Sequence, residues 1–232
     1  MIGGNITVNL LQKMLEDSYT DPPTKIINGY VLDEEVSKKS ILFSQMTSRV
    51  YVNETERKVM VSHRGTGLER YGSDWLNNIV YGVSGINAYK LTPRFLRAKA
   101  VHGSVIKKYK NYEVNTCGHS QAGLIAHLLP YGVKNVIQFN PASKSEQLQD
   151  NEYIIRSSKD LVSSLSVPTQ LLNQTLYPGW SKKHYINIKA ESENPLIEHS
   201  PAILSRLDPN MKIGKGHGRK KLIGYNINIS IS

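Results

Sequence analysis

Val8, Leu10, Leu11, Met14 and Leu15 recur at intervals of three and four residues, the spacing that lines one face of a helix. Asp21-Pro22-Pro23 ends that run, because proline cannot continue a helix. The pattern then changes period. Arg49 to Val52 and Lys58 to Ser62 are rich in valine and are separated by Asn53-Glu54-Thr55, which predicts a hairpin feeding a core strand. From Arg94 to Lys110, Phe95, Leu96, Ala98, Val101, Val105, Ile106 and Tyr109 return to helical spacing around Gly103, with Thr92-Pro93 as cap and first helical position. A strand over Tyr112 to Thr116, a helix over about Gln121 to Leu129, and strands over Asn135 to Phe139 and Tyr153 to Ile155 follow, and HYINIK from His184 reads as another strand. This alternation predicts an α/β fold, a mostly parallel sheet with helices on both faces. There is no internal repeat, and the first candidate boundary is at Asp208. The expected organisation is one domain over residues 1–208 and a basic tail over 209–232, in which INISIS could form a final edge strand.

Composition narrows the class. A chain of 232 residues is long enough for a packed core, and 39% hydrophobic with 21% charged residues excludes disordered and collagen-like chains. The single cysteine, Cys117, cannot form an internal disulfide or build a cysteine-rich zinc site. The amino-terminal segment places Lys13, Glu16 and Asp17 where a signal peptide would be apolar, and no apolar run approaches the roughly 20 residues needed to span a bilayer. A soluble intracellular protein, at most peripherally attached to a membrane, is expected. The net charge is +10, and half of it comes from Lys212, Lys215, Arg219, Lys220 and Lys221 in the tail. Such a segment suits an anionic membrane surface; nucleic acid, drawn by the same counterion release, is the less favoured partner, and a solvated tail is the plain alternative.

Candidate chemistry centres on Gly118-His-Ser-Gln-Ala-Gly123, between a predicted strand and a predicted helix. A serine on such a turn is pushed out of the backbone, and small residues two before and two after it let strand and helix pass closely. Here those are Gly118 and Ala122. The amide of Gln121, at the helix start, is a candidate oxyanion donor. A serine hydroxyl needs a base and an orienting acid, and in this strand–turn–helix context they follow the serine in the order acid, histidine. Of the later histidines, His217 lies in the tail, His184 opens a strand, and His199 is expected on a loop leading into an apolar segment, which favours His199 over His184. Asp160 follows the strand EYIIR, at the edge where a parallel sheet presents functional side chains, whereas Asp150 and Glu152 precede it. Asp160 also has a purely structural reading, as a helix cap or a loop ion pair with Lys159 or Arg156. An earlier apolar strand ends in His63-Arg64-Gly65-Thr66, where Thr66 offers a backbone N–H and a hydroxyl as the second oxyanion donor. His63 and His102 read as structural histidines, and no spacing of a metal site is present.

Taken together, RGT at 64–66, Asp74-Trp75-Leu76, Val101-His102-Gly103, GHSQAG, Asp160-Leu-Val and His199 resemble the class 3 lipases, α/β-hydrolases related to fungal triacylglycerol lipases, over about residues 5–205. The resemblance implies Ser120 as nucleophile, Asp160 and His199 as its partners, Thr66 and Gln121 as oxyanion hole, and Arg64 as a structural arginine. It also implies a lid over about residues 67–75, with Leu68, Tyr71 and Trp75 facing substrate, an ordinary surface loop being the other reading of that segment. The departures are Ala122 for glycine, Gln121 where leucine is commoner, and short separations of 40 and 39 residues between the triad positions. The expected activity is serine carboxylic-ester hydrolysis, lipase or lipid esterase, through an acyl-enzyme and without metal or organic cofactor, on a lipid or small ester substrate. The alternative is a non-catalytic binding or structural protein that keeps the hydrolase scaffold and uses its basic tail.

Overall fold

The computed structural model describes residues 6–42, 44–66, 89–142, 148–163, 175 and 184–214. In chain order its elements are β1 (Ile6–Thr7), α1 (Val8–Asp17), β2 (Ile26–Ile27), β3 (Tyr30–Leu32), α2 (Glu34–Lys38), β4 (Ile41–Leu42), β5 (Gln45–Met46), β6 (Ser48–Asn53), β7 (Lys58–His63) and α3 (Pro93–Lys108). There follow β8 (Glu113–His119), α4 (Gln121–Leu128), β9 (Asn135–Phe139), β10 (Glu152–Ser157), β11 (Tyr185–Ile188), α5 (Pro195–His199), a 3-10 turn (Pro201–Arg206) and β12 (Lys212–Ile213). Eight strands form one sheet in the order β11-β10-β9-β8-β7-β6-β3-β2. Strands β7 to β11 run parallel, and β6, β3 and β2 join antiparallel at the β7 side. This is the mostly parallel α/β arrangement expected, with its parallel half carried by the segments read as strands in the sequence.

The alternation of side chains along each strand sorts the core into two layers. Val50 and Val52 of β6, Val59 and Val61 of β7, Val114 of β8 and Val136 of β9 share one apolar cluster with Val101 and Val105 of α3 and Ala126 of α4. Their neighbours Tyr51, Met60, Cys117, Ile137 and Phe139 point the other way and pack on Leu11, Met14 and Leu15 of α1 and on Ile203 and Leu204. Helices therefore cover both faces. Burial pushes the Cys117 thiol up to about 12, so it stays protonated at neutral pH and serves the core. β12 pairs with β1, Ile213 opposite Ile6, and Ile213 is buried in the second cluster. The packed body therefore runs through Asp208 to Gly214, six residues beyond the boundary expected from sequence, and INISIS lies outside the described residues.

One buried ion pair ties α1 to the sheet. Arg49 of β6 reaches Asp17 Oδ2 at 2.7 Å, and the two residues are 2% and 4% exposed. Arg49 also donates to the backbone carbonyls of Asp17 and Thr20, at the end of α1. The Asp17 carboxylate further accepts from the Thr24 amide and the Tyr51 hydroxyl. Burial alone would raise its pKa, but the hydrogen bonds from Thr24, Tyr51 and Arg49 outweigh it and leave the value below the usual range. The pair's contribution is therefore complete above the unfolded carboxyl value near 4 and is lost as pH falls through the lower folded value. Arg49→Met leaves Asp17 buried without its cation and is expected to lower stability by about 3 to 5 kcal/mol at neutral pH. Urea unfolding would measure the loss, which should shrink as pH falls from neutral and the variant's unpaired carboxyl, held up by burial, becomes protonated.

Candidate active site

β8 runs three residues further than expected, to His119, so the strand abuts the turn at Ser120. Ser120 takes φ 58° and ψ −128°, a conformation that costs a non-glycine residue on the order of 1 to 3 kcal/mol. Its amide donates to the Phe139 carbonyl at 3.0 Å, and its carbonyl accepts from Gly123 and Ala142 at 3.0 and 3.2 Å. Gly118 is required by a close approach, since a Cβ there would lie 2.1 Å from the Ala122 carbonyl oxygen. Ala122 itself is accommodated in the core with no exposure. The tight contact with β9 instead falls one residue later, where a Cβ on Gly123 would meet Gln138 and Pro141 at 3.1 Å. Ser120 is 1% exposed, and its Oγ has no hydrogen-bond partner among the described residues. A buried hydroxyl left so is destabilising. The Gln121 amide opens α4, where the first N–H groups have no acceptor within the helix.

Asp160 and His199 meet. His199 Nδ1 lies 2.9 Å from Asp160 Oδ1, with both side chains buried. The carboxylate also accepts from the amides of Val162 and Ser163 at 3.3 and 2.9 Å, so it is held on both oxygens. A proton on Nδ1, donated to this carboxylate, leaves Nε2 as the basic nitrogen of the ring. His199 stands at the last position of the short helix α5 and not on a loop, because Asn194 caps that helix through the Leu196 amide and Pro195 suits its first turn. His184 is placed elsewhere. It precedes β11, at the sheet edge opposite Ser120, and its Nδ1 faces the Glu152 carbonyl at 2.5 Å.

The loop after β7 brings Thr66 to α4, where the Thr66 hydroxyl donates to Gln121 Oε1 at 3.0 Å. Its proton is therefore directed at a side chain. A Cβ on Gly65 would lie 2.3 Å from the Tyr19 hydroxyl and 2.6 Å from the His119 carbonyl, which accounts for the glycine between Arg64 and Thr66. Arg64 stacks its guanidinium over the Tyr19 ring at 5.4 Å. Leu68, Tyr71 and Trp75, the expected lid positions, lie outside the described residues.

Several residues that the sequence did not single out complete the site. Tyr19, beyond the end of α1, accepts the Gly65 amide at 3.0 Å and lies 2.6 Å from His119 Nδ1. His119 Nε2 lies 2.8 Å from the His199 carbonyl. A carbonyl only accepts, so Nε2 carries the proton and Nδ1 accepts from Tyr19. Burial, joined by the neighbouring His199, holds the His119 pKa well below the ordinary imidazole value, and burial raises the Tyr19 phenol to about 12. Both are neutral links in a chain of hydrogen bonds from Gly65 to the His199 backbone. Asn140, after β9, donates to the carbonyls of Glu198 and His199 at 2.8 and 3.2 Å and accepts the Ser157 amide at 2.9 Å. The Glu198 side chain, fully buried, is paired with Arg206 at 2.8 Å and accepts from the Ser157 hydroxyl and the amides of Glu191 and Ser192. His119 and Glu198 flank Ser120 and His199 in the chain, a neighbourhood that could have marked them; Tyr19 and Asn140 carry no such signal.

No protein-family model matches the chain, and neither does any curated protein sequence. Among solved structures it is similar to the Lip2 lipase of Yarrowia lipolytica, at 14% identity and a TM-score of 0.44, covering 72% of this chain and 78% of that one. It is also similar to the Rhizomucor miehei lipase propeptide complex, at 15% and 0.44 over 68% of this chain and 62% of that one. A further fungal lipase matches at 12% and 0.41 over 70% and 74% of the two chains.

Burial alone would raise the Glu198 carboxyl's pKa, but hydrogen bonds from Arg206, Ser157 and the two amides hold it down at about 2. Its contribution to stability is thus complete above the unfolded value of about 4.3 and is lost as pH falls toward 2. Glu198→Gln is expected to cost about 3 kcal/mol at pH 7, a drop of roughly 6 to 12 °C in Tm for a chain of this size. Thermal unfolding of both proteins between pH 7 and pH 2.5 should show the difference closing on acidification.

Proposed function

We propose that the protein is a serine carboxylic-ester hydrolase that works through an acyl-enzyme. The observation that carries this reading is the buried Ser120 hydroxyl without a described partner, on a positive-φ turn at a helix start, next in the chain to His119, whose ring centroid is 4.6 Å from that of a second histidine, His199, bonded to a buried carboxylate. Ser120 Oγ attacks the ester carbonyl carbon while its proton passes to His199 Nε2. Asp160 holds the imidazole through Nδ1 and stabilises the imidazolium. The charge that develops on the carbonyl oxygen is met by the Thr66 and Gln121 amides. Collapse of the intermediate breaks the ester C–O bond, and the alcohol leaves with the proton from His199. Water then attacks the acyl-serine by the same route and releases the acid. No step calls for a metal or an organic cofactor.

Lipid esters are the substrate class proposed. Leu161 follows Asp160 directly, Leu196 and Ile197 lie on the helix that ends at His199, and all three are exposed. Leu91 and Leu96, beside the first turn of α3, are exposed as well. Apolar side chains on the segments that carry the site suit contact with acyl chains or a lipid surface. No described helix is long and apolar enough to cross a membrane.

A fluorophosphonate should attach to Ser120, with the serine oxygen replacing fluoride on phosphorus, and peptide mapping should find the label there. Ser120→Ala should fold and stay unlabelled, His199→Ala and Asp160→Asn should lower turnover by about four orders of magnitude, and His184→Ala should change it little. Folded protein without label would favour the non-catalytic scaffold, and a label on another serine would overturn the assignment of Ser120. A panel of p-nitrophenyl esters of rising chain length would define the acyl preference.

The basic tail is proposed to bind an anionic membrane surface, at about 1 kcal/mol for each cation near the bilayer. Because β12 belongs to the packed body, the informative truncation ends at Gly214. It removes Lys215, Arg219, Lys220 and Lys221 and leaves Ile213 in place. This shortened chain should hydrolyse a soluble short-chain ester at the full rate and lose co-sedimentation with anionic liposomes. Equal sedimentation by both chains would assign the tail no membrane role.

A further inference from the structure

Arg94 occupies the first turn of α3, two residues after the Thr92 cap. A cation in that position opposes the helix dipole, which favours acidic residues there, and the turn contains none. No carboxylate among the described residues pairs with Arg94, and its Nε is buried without a hydrogen-bond partner. Helix stability therefore does not account for this charge. The guanidinium is directed at the site, with Nη2 donating to the Gly65 carbonyl at 3.0 Å and Nη1 3.4 Å from Gln121 Oε1. Its positive charge also reaches Tyr19, whose phenol it favours in the ionised form against burial.

These contacts determine one another's direction. A guanidinium only donates, so the Gln121 amide presents its oxygen to Arg94, and Thr66 Oγ1, 3.0 Å from that oxygen, is the donor in its own bond. The Thr66 hydroxyl proton is thus engaged, and the donor that this loop retains for an oxyanion is the Thr66 N–H. That N–H belongs to the same planar peptide unit as the Gly65 carbonyl, and in a trans peptide the two point in opposite directions. A group that anchors the Gly65 oxygen therefore sets where the Thr66 N–H points. A charged donor on the carbonyl also polarises the peptide and strengthens its N–H as a donor.

We propose that Arg94 is a positioning residue for the oxyanion hole, orienting and polarising the Gly65–Thr66 peptide from the carbonyl side while the Gln121 side chain fixes the Thr66 hydroxyl. The proposal rests on the serine-hydrolase reading above and adds a residue to it. Tyr19, bonded to the Gly65 amide, holds the preceding peptide, so the loop is tethered from α1, α3 and α4.

Loss of a whole oxyanion donor costs about 100- to 1,000-fold in kcat. Arg94→Ala weakens one donor without removing it, and kcat on a p-nitrophenyl ester should fall about 10- to 100-fold with KM within about 2-fold. Guanidinium at millimolar concentration should restore part of the lost kcat in Arg94→Ala and leave the wild type unchanged. Arg94→Lys, which keeps one donor, should fall between the two, and it decides the matter if the alanine variant does not fold. A kcat equal to that of the wild type in whichever of these variants folds would overturn the proposal. So would a rise in KM alone, which would make Arg94 a substrate contact. Fluorophosphonate labelling of the wild type separates the two readings. If Ser120 is labelled and the Arg94 variants keep full kcat, only the role of Arg94 falls; if it is not labelled, the hydrolase reading falls and this one with it.

Discussion

The passage of β8 against the first turn of α4 is the constraint on which the site depends. With a glycine at 118 the strand comes so near the helix that an added Cβ would sit 2.1 Å from the Ala122 oxygen. The chain must then reverse within one residue, and Ser120 takes the positive φ that makes this turn. The strain is offset by hydrogen bonds on both sides of that residue, to Phe139 before the turn and from Gly123 and Ala142 after it. The same geometry places a helix N-terminus at the serine, so one backbone feature supplies a displaced hydroxyl and an amide donor. Glycine is needed only where the closest approach falls, which explains how Ala122 stands in the second small position while Gly123 takes the contact with β9.

Around that turn, segments far apart in the chain are held by neutral hydrogen bonds. Tyr19 and His119 connect the loop after β7 to the backbone of His199, and Asn140 connects the ends of β9, β10 and α5. The neutrality of His119 matters for the proposed mechanism. Its ring centroid is 4.6 Å from that of His199, and a second imidazolium at that distance would oppose protonation of the first. Burial keeps His119 uncharged, so the proton taken from serine meets no positive charge on its nearest ring.

What was legible in the sequence followed from periodicity and from local chemistry. The alternating valines of β6 and β7, the helical spacing of α1 and α3, and the glycines around Ser120 each act over a few residues, and those elements appear where the pattern puts them. The two-residue strands β1 and β12 and the hairpin of β4 with β5 are too short to carry a period. They exist because tertiary packing brings them together, as with Ile6 beside Ile213. α5 was hidden for a related reason, since five residues hold only one turn, and its cap at Asn194 is a local signal without an apolar face behind it. Arg94 illustrates the further limit. In sequence it is one cation on a basic helix, and its meaning comes from the carbonyl it reaches 29 residues away.

Three histidines show what distinguishes a candidate base from a structural ring. His184, His127 and His199 are all buried, and each makes a hydrogen bond through Nδ1. For His184 Nδ1 that bond is to the Glu152 carbonyl, which orients the ring. His127 faces the Glu152 carboxylate at 2.8 Å, the same pairing that His199 makes with Asp160. Among the described residues a histidine and a carboxylate are thus in contact at two places, and the pairing does not by itself define a site. Glu152 opens β10 at the edge of the sheet opposite the turn, whereas Asp160 follows the end of that strand and the His199 ring lies tilted, centroids 4.6 Å apart, against the ring adjoining Ser120. The edge therefore supports the proposed assignment: among the described residues, it is there that a histidine oriented by a carboxylate lies on the same side of the sheet as a buried hydroxyl and amides that have no acceptor in their own helix.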